Sequence, residues 1–396
     1  MENAEEIRRS YALQTAWQTG AKVVNKLIPP SFSRIAVPFT QTWRESPEPT
    51  LEWGANDFSI MIPEGVRCLS ACYLQIDIPS TEFKAYPGLY VIDQFRIRSA
   101  GQIVYECDYG QHLADYCESL TDQKRQFASI YLGGSEESSG NETRSVKLPL
   151  LLPNSTYLRR SNNSTSGHGV FGAYTGQNRV ELSVTLNPAA FVTKSGGTPP
   201  ASILGKCSVM YHCVQVPNEL RRKYEDLRGY FHTVIRRFTQ LTPNWRHYPT
   251  AGETVVDSVS QPNGTVSEIM LLAVPHAASA ADRRRHNYIK PTYFEVVSDM
   301  ITQKRLDTKR KVETELYVNG FNPPENFASP GRLCFANHCA SDMTSIYLGG
   351  YNMTSATNVQ FRFAFDQEVD WRLVSVAYAN CKIDGAGILT STLDGT

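Results

Sequence analysis

The densest run of metal-binding side chains in the sequence is Cys334-x-x-x-His338-Cys339. Zinc sites need about four ligands converging tetrahedrally. On an extended strand, positions 334 and 338 share a face while 339 points away, so the set is incomplete unless His212 or Cys213 joins it. Ordinary buried thiols are the plainer reading, and no metal ligand is assigned. Cys68 and Cys72 also share a strand face, too far apart along it for a disulfide.

Signs of catalysis are sparse. The chain has no Gly-x-Ser-x-Gly elbow, P-loop or zincin motif. Its carboxylates are spread, with no isolated pair in an apolar pocket of the kind a glycosidase uses. No catalytic or cofactor-binding residue is assigned, no cofactor is expected, and the chain is not expected to be an enzyme. Two basic clusters, Asp282-Arg283-Arg284-Arg285-His286 and Lys304-Arg305 with Lys309-Arg310-Lys311, fall between strand candidates and read as solvated loops. Contact with phosphates, lipid headgroups or an acidic partner is the sharper alternative. Asn141, Asn154, Asn162, Asn163, Asn263 and Asn352 begin Asn-x-Ser/Thr triplets, expected to stay unmodified because the start of the chain does not read as a secretory signal.

What must position these residues is a β-rich scaffold. The chain has 396 residues, which suits two domains. Hydrophobic residues make up 41% and charged residues 20%, enough to build real cores. Lys+Arg and Asp+Glu both number 39, so the net charge of zero argues against a nucleic-acid wrapper. The 20 Tyr and 17 Phe, punctuated by 22 Pro and 26 Gly, favour strands and turns. No apolar run approaches the ~18–20 residues that span a bilayer. Nine cysteines, an odd number without a dense framework, read as free thiols in a reducing compartment.

Residues 4–28 are read as an amphipathic helix with Ile7, Tyr11, Trp17, Ala21, Val24 and Ile28 in an interrupted apolar stripe, ended by Pro29-Pro30. It packs on its own domain, docks on a neighbouring subunit or lies on a membrane surface. Strand signals follow in "SRIAVPFTQTW", "DFSIMIP", "CLSACYLQIDIP" and "RVELSVTLNP", the last alternating cleanly through Val180, Leu182, Val184 and Leu186. Residues 89–107 read as two strands turning at Ser99, Ala100 and Gly101. Leu113, Tyr116 and Leu120 then recur at helical spacing, so the chain runs from a strand straight into a helix. Residues 133–145 read as an exposed loop, "VKLPLLLP" as a strand and "ILGKCSVMYHCVQVP" as the last strand set of the first half.

A capped helix over 218–229 marks the domain boundary, with Asn218 at its start and Gly229 at its end. Strands resume with "YFHTVIRRFTQL", "ETVVDSV", "SEIMLLAVP", "ETELYVNG", "RLCFANH", "SIYLGG", "NVQFRFAFD" and "WRLVSVAYANCKI". Each half thus holds about seven or eight strand candidates, the number a jelly roll needs. The halves show no obvious repeated sequence.

The strand-to-helix elbow is the diagnostic stretch. "YVIDQFRIRSAGQIVYECDYGQHLADYCESLT" resembles a signature segment of the double jelly-roll major capsid proteins, the lineage of large nucleocytoplasmic DNA viruses, adenovirus hexon and tailless membrane-containing phages. That pattern is an apolar strand, Gly-Gly-Gln, an apolar strand, then Asp-x-x-Tyr-Gly-x-Trp-Leu and Glu-Leu-Thr. Here it stands as Ala100-Gly101-Gln102, Asp108-Tyr109-Gly110, Leu113 and Glu118-Ser119-Leu120-Thr121. Ala100 replaces the first glycine, and Gln111 and His112 stand where the tryptophan is expected. Near the other end, Tyr378-Ala379-Asn380 and Ile383-Asp384-Gly385 are similar to the family's closing segment. "LEWGANDFSIMIPEGVRCLSACYLQIDI" resembles its opening strand pair, and "VKLPLLLP" its Leu-Pro-Leu-Pro strand without the usual aromatics.

The resemblance implies an all-β fold of two consecutive jelly-roll barrels with short helices: an N-terminal helical arm over 1–30, a first jelly roll over 31–217, a linker helix over 218–229 and a second jelly roll over 230–396. It further implies a capsid protein of the virion, made in the host cytoplasm or nucleus. Homotrimers stand as pseudo-hexamers in an icosahedral shell around a DNA genome, beside neighbouring capsomers, penton and minor capsid proteins. An internal membrane reached through the arm is a further implied partner, and no specific nucleic acid is. Gly101, Gln102, Asp108, Tyr109, Gly110, Leu113, Leu120, Thr121, Asn380 and Gly385 carry the signature as structural residues. The rival reading is a β-sandwich receptor- or carbohydrate-binding virion protein, for which Trp53, Trp245 and Trp371 are the candidate aromatic platforms.

Overall fold

The computed structural model describes residues 40–47, 50–54, 57–62, 68–118, 129–150, 171–172, 174–175, 178–215, 232–258, 264–278, 287–319, 321, 323–335, 350–354, 356, 358–383 and 389–393. The expected arm over 4–28, the boundary helix over 218–229, the "SIYLGG" strand and the basic cluster at 282–286 lie outside them.

Alternation of apolar and polar residues builds the first half. Along β1 (Thr40–Pro47), β2 (Phe58–Met61) and β3 (Cys68–Thr81) the clearest case is β3, where Cys72, Leu74, Ile76 and Ile78 are buried between half-buried neighbours. Then come β4 (Ile92–Ser99), β5 (Gln102–Asp108), the helix α1 (Tyr109–Glu118) and β6 (Glu142–Pro149). The half closes with the short β7 (Phe171–Gly172) and β8 (Tyr174–Thr175), then β9 (Asn178–Leu186) and β10 (Cys207–Gln215). One sheet runs β1-β10-β3-β6 with β7 on β3; the other runs β2-β9-β4-β5 with β8 on β9. Their inner faces meet in one core that includes Leu74, Ile76, Phe95, Ile97, Leu182 and Val184. Each such side chain contributes roughly 1.5–3 kcal/mol of burial.

The second half repeats the plan. It comprises β11 (His232–Gln240), β12 (Arg246–Tyr248), β13 (Val255–Ser258), β14 (Thr265–Pro275), β15 (Tyr293–Ser298) and β16 (Ile301–Leu306). The helix α2 (Lys309–Val318), β17 (Gly331–Cys334), β18 (Tyr351–Asn352), β19 (Gln360–Ala364), β20 (Val369–Ile383) and β21 (Leu389–Leu393) complete it. Its sheets run β11-β20-β14-β17, with β12 and β21 on β20 and β18 on β14, and β13-β19-β15-β16. In both halves the first principal strand pairs with the last, the last with the third and the third with the sixth, while the other four form the facing sheet. That is jelly-roll topology, twice over.

Finer features repeat as well. The hairpin between β4 and β5 turns at Ala100 (φ 49°) and Gly101 (φ 77°), and that between β15 and β16 at Asp299 (φ 53°) and Met300 (φ 65°). Both are two-residue turns with positive φ at both positions, the form that matches strand twist. Each fifth principal strand then leads into a helix of 10 residues.

Several expectations need correction. Strand β4 begins at Ile92, after a 3-10 turn over Pro87–Tyr90. Residues 142–145 belong to β6 rather than to an exposed loop, because they pair with β3 out to Thr81. "ETELYVNG" is not a strand: Thr308 caps a helix by accepting from the Lys311 amide at 3.2 Å, and Val312 and Leu316 point inward one turn apart. Lys304 and Arg305 lie on β16 and Lys309-Arg310-Lys311 in the first turn of α2, so neither group is a loop.

Candidate functional site

The elbow resolves into four separable jobs. Asp108 ends β5 and its Oδ1 accepts from the Gln111 amide at 3.2 Å, so it caps α1. Tyr109 is fully buried, packs edge-on against Phe95 and donates from Oη to the Pro149 carbonyl of β6 at 2.8 Å. Burial pushes its phenol well above the usual range, which keeps it a donor. Gly110 is there for space: a Cβ would sit 2.5 Å from the Leu89 carbonyl oxygen. Leu113 is fully buried in the first core.

The remaining signature residues divide. Gly101 supplies only its positive φ, since a Cβ added there would meet nothing within 4 Å, and Gln102 opens β5 on the surface opposite Ser99. Asn380 lies on β20, opposite Val234 on one side and Thr392 on the other. Leu120, Thr121 and Gly385 lie outside the described residues.

What the elbow holds in place is the face of α1 turned away from its own barrel. There Arg332 of β17 meets three carboxylates: Nη1 donates to Asp115 Oδ1 at 2.8 Å and to Glu268 Oε1 of β14 at 2.9 Å, and Nη2 to Glu118 Oε2 at 2.5 Å. All four side chains are almost fully buried, and the guanidinium lies 4.3 Å from the centre of the Phe321 ring. Burial works against the Arg332 charge, but Glu118 and Asp115 outweigh it and push its pKa further up. Burial raises the Glu118 carboxyl above its usual range, against the pull of Arg332 and with Asp115 adding to the rise.

This cluster joins the two barrels. Along β17, Leu333 points into the second core, so Arg332 and Cys334 face out of that barrel. On the same outer face lie Met270, Leu272, Val274, Val374 and Val376, with Phe238 packed against them. The His112 ring of α1 lies 4.8 Å from the Phe238 ring, and Tyr105 Oη and His112 Nδ1 share a hydrogen bond at 2.6 Å. A second contact lies at Tyr86, which donates from Oη to the Glu325 carbonyl at 2.8 Å and packs edge-on against Phe327 at 4.9 Å. Asn326 donates to the Ser135 carbonyl at 3.1 Å. The helical edge of the first barrel therefore seats on the outer β11-β20-β14-β17 face of the second. The contact is heterologous, an edge on a face.

The matching surfaces of each barrel at its far side are exposed. If Val312 and Leu316 of α2 are matched with Leu113 and Cys117 of α1, the residues corresponding to His112, Asp115 and Glu118 are Lys311, Thr314 and Tyr317. All three are exposed, Tyr317 at 62% with Val318 beside it at 61%. The outer β1-β10-β3-β6 face of the first barrel carries a row of aromatic rings. Trp43 lies 4.6 Å from His212 and 6.0 Å from Tyr73, and Tyr73 stacks on Tyr131 at 5.9 Å. Trp43 is 56% exposed on β1, an edge strand whose outer side pairs with nothing among the described residues.

The candidate metal cluster and aromatic platforms fare differently. Cys334 is buried, and its thiol points at Glu268 Oε2, 3.8 Å away; His338 and Cys339 lie outside the described residues. His212 and Cys213 belong to β10 of the other barrel, where the Cys213 thiol donates to the Tyr211 carbonyl at 3.7 Å. Cys72, Cys107, Cys117, Cys207, Cys213 and Cys334 are buried. Trp371 is a core residue, and Trp53 and Trp245 are half-buried in packing, so none of the three forms an open platform. Among the described residues the exposed indole is Trp43, which sequence alone does not single out because an edge strand and a central strand share one alternation.

No protein-family model matches the chain, and no curated protein matches it. Solved structures do. PBCV-1 VP54, fitted into a cryo-EM reconstruction of the virophage Sputnik, aligns over 92% of this chain and 98% of its own at 11% identity and a TM-score of 0.66. The Faustovirus major capsid protein aligns over 97% and 98% at 9% identity and 0.64. The mavirus major capsid protein aligns over 95% and 93% at 10% identity and 0.54. At such identities the likeness carries the fold, and the fold is the double jelly roll.

Proposed function

We propose that this chain is a major capsid protein, three copies of which close into a ring of six barrels that tiles an icosahedral shell. The observation that carries the reading is the edge-on-face junction inside the chain. A heterologous contact repeated by rotation either closes into a ring or runs on as a filament. Here the exposed α2 edge of the second barrel corresponds to the α1 edge that is already used. The outer aromatic face of the first barrel, with Trp43 exposed and Tyr73, Tyr131 and His212 half-buried, corresponds to the face that receives it. Seating α2 of one copy on the β1-β10-β3-β6 face of the next repeats the internal junction and closes the ring. The fold shared with viral major capsid proteins supports the same reading.

In this role the work is burial of apolar area and cover for edge strands, not bond chemistry. An obligate interface of this kind buries more than ~2,000 Å². In this reading residues 1–30 serve contacts with neighbouring capsomers or an internal membrane, and penton and minor capsid proteins complete the shell.

Sedimentation of the purified full chain, with Trp43→Asp and Tyr317→Asp beside it, tests the proposal. The unaltered chain is expected at three times its chain mass, and each variant at the monomer mass with an unchanged circular dichroism spectrum. A monomeric unaltered chain at micromolar concentration contradicts the proposal, as do variants that remain trimeric.

A further inference from the structure

At one end of the second barrel, three adjacent strands bring together two histidines and two carboxylates that the assembly reading does not use. His247 on β12 stands opposite Asp370 on β20, and Val274 of β14 stands opposite Asp370 on the other side. His276 follows just after β14, two residues beyond Val274, and Glu368 precedes Asp370 by two, so all four side chains fall on one face. The imidazole centroids lie 3.8 Å apart, with the ring planes tilted 40° to each other. Their Nδ1 atoms both face Asp370 Oδ1, at 3.5 Å for His247 and 3.0 Å for His276. Their Nε2 atoms both face Glu368 Oε1, at 3.1 Å and 3.8 Å.

The hydrogen-bond inventory makes this arrangement informative. Asp370 is nearly buried, and a carboxylate only accepts, so the Nδ1 atoms that face it carry the protons. Each Nε2 then presents a lone pair toward Glu368 Oε1, which is also an acceptor. Acceptors at such separations repel unless a positive charge lies between them. Protons on both Nε2 atoms would place two imidazolium rings with centroids 3.8 Å apart, like charge beside like charge. One divalent cation would serve both rings and the carboxylate together. Ligands around tetrahedral zinc stand about 3.3 Å apart for bonds of ~2.0–2.1 Å. The three donor atoms all lie within 4.8 Å of one another, and the two separations to Glu368 bracket that figure. A buried carboxylate that orients the far nitrogen of a ligating histidine is the usual outer support of zinc sites.

We propose that Nε2 of His247, Nε2 of His276 and the Glu368 carboxylate bind a divalent transition-metal ion of the zinc class, with water in the fourth position. Asp370 is the positioning residue that orients both imidazoles. The ion ties β12 and the ends of β14 and β20 into one unit. Two nitrogens and one carboxylate favour zinc or cobalt over magnesium or calcium, which prefer all-oxygen shells.

The test is titration of chelator-treated full-length protein with Zn²⁺ by calorimetry, with Mg²⁺ as control and His247→Ala/His276→Ala and Asp370→Asn as variants. The expected result is one more zinc per chain in the unaltered protein than in the double variant, an affinity about 10–100-fold weaker in Asp370→Asn, and no competition from Mg²⁺. Co²⁺ should give the visible absorption of a tetrahedral site in the unaltered protein and not in the double variant. Equal zinc uptake by the unaltered protein and a folded double variant would overturn the proposal. Glu368→Gln, which alters one exposed carboxylate, provides a second comparison: uptake unchanged in that variant would remove Glu368 from the site.

Discussion

Arg332 illustrates how much can depend on one side chain. It is the cation among three buried carboxylates, and two of those come from the other barrel. Truncating one partner of a buried ionic cluster typically costs about 3–5 kcal/mol, because uncompensated charge stays behind. Arg332→Leu should lower unfolding stability by about that amount, measured by chemical denaturation at neutral pH. Glu118 offers the converse test. Its folded pKa lies above the unfolded value, so its contribution is fully present below the unfolded pKa and is lost as pH rises through the folded one. Removing that group should therefore shift stability in the variant's favour with rising pH. The difference between Glu118→Gln and the unaltered protein is expected to move that way as pH rises from the ordinary carboxylate range toward neutrality, and a pH-independent difference contradicts the assignment. The glycines of the elbow separate in the same manner. Gly110→Ala drives a methyl into the Leu89 carbonyl and should cost roughly 1–3 kcal/mol. Gly101→Ala meets open space and loses only what a left-handed backbone costs, about 1–2 kcal/mol. Asp108, Tyr109, Gly110 and Leu113 stand out in the sequence through the signature segment they share; of their jobs only the Asp108 cap is local, since Tyr109 reaches Pro149 and Gly110 makes room for Leu89. Arg332 does not: its partners lie on α1 and β14, and nothing in the local pattern around β17 announces them.

The elements show where periodicity suffices and where it misleads. Strands β3 and β9 are legible because apolar side chains on the core face alternate with mostly polar ones on the other, although Ser183 of β9 is buried as well. In β14 nearly every residue is buried, since its outer face supports the inter-barrel cluster, and the run is apolar rather than alternating. Strand β16 is hidden in the sequence because Lys304 and Arg305 look like loop residues. Yet the Lys304 ammonium donates to the Cys334 carbonyl and to Glu315 of α2, so its charge is used inside the fold. Helix α2 reads as a strand because Val312, Tyr317 and Val318 carry β propensity, which packing and the Thr308 cap override. The hairpin before it makes a further prediction. Met300 holds φ at 65° and is 95% exposed, a backbone state that costs an ordinary side chain about 1–2 kcal/mol. Met300→Gly should raise the unfolding midpoint by a corresponding amount, and a lowered midpoint would show that the methionine side chain makes contacts that stabilise the turn.

At the scale of the molecule, two barrels with no evident sequence repeat share strand order, hairpin turns and a helix after the fifth strand. Topology is legible as a strand count and a resemblance; the junction between barrels is not, because it is built from residues far apart in sequence. The central claim is that this junction is used twice, once within the chain and once between chains. The most direct test is electron-microscopic imaging of the purified full-length protein. The account predicts three-fold particles with a pseudo-hexagonal base, in which the contact between neighbouring chains repeats the seat of α1 on the β11-β20-β14-β17 face. Isolated two-lobed particles, or two-fold dimers joined face to face, would contradict it.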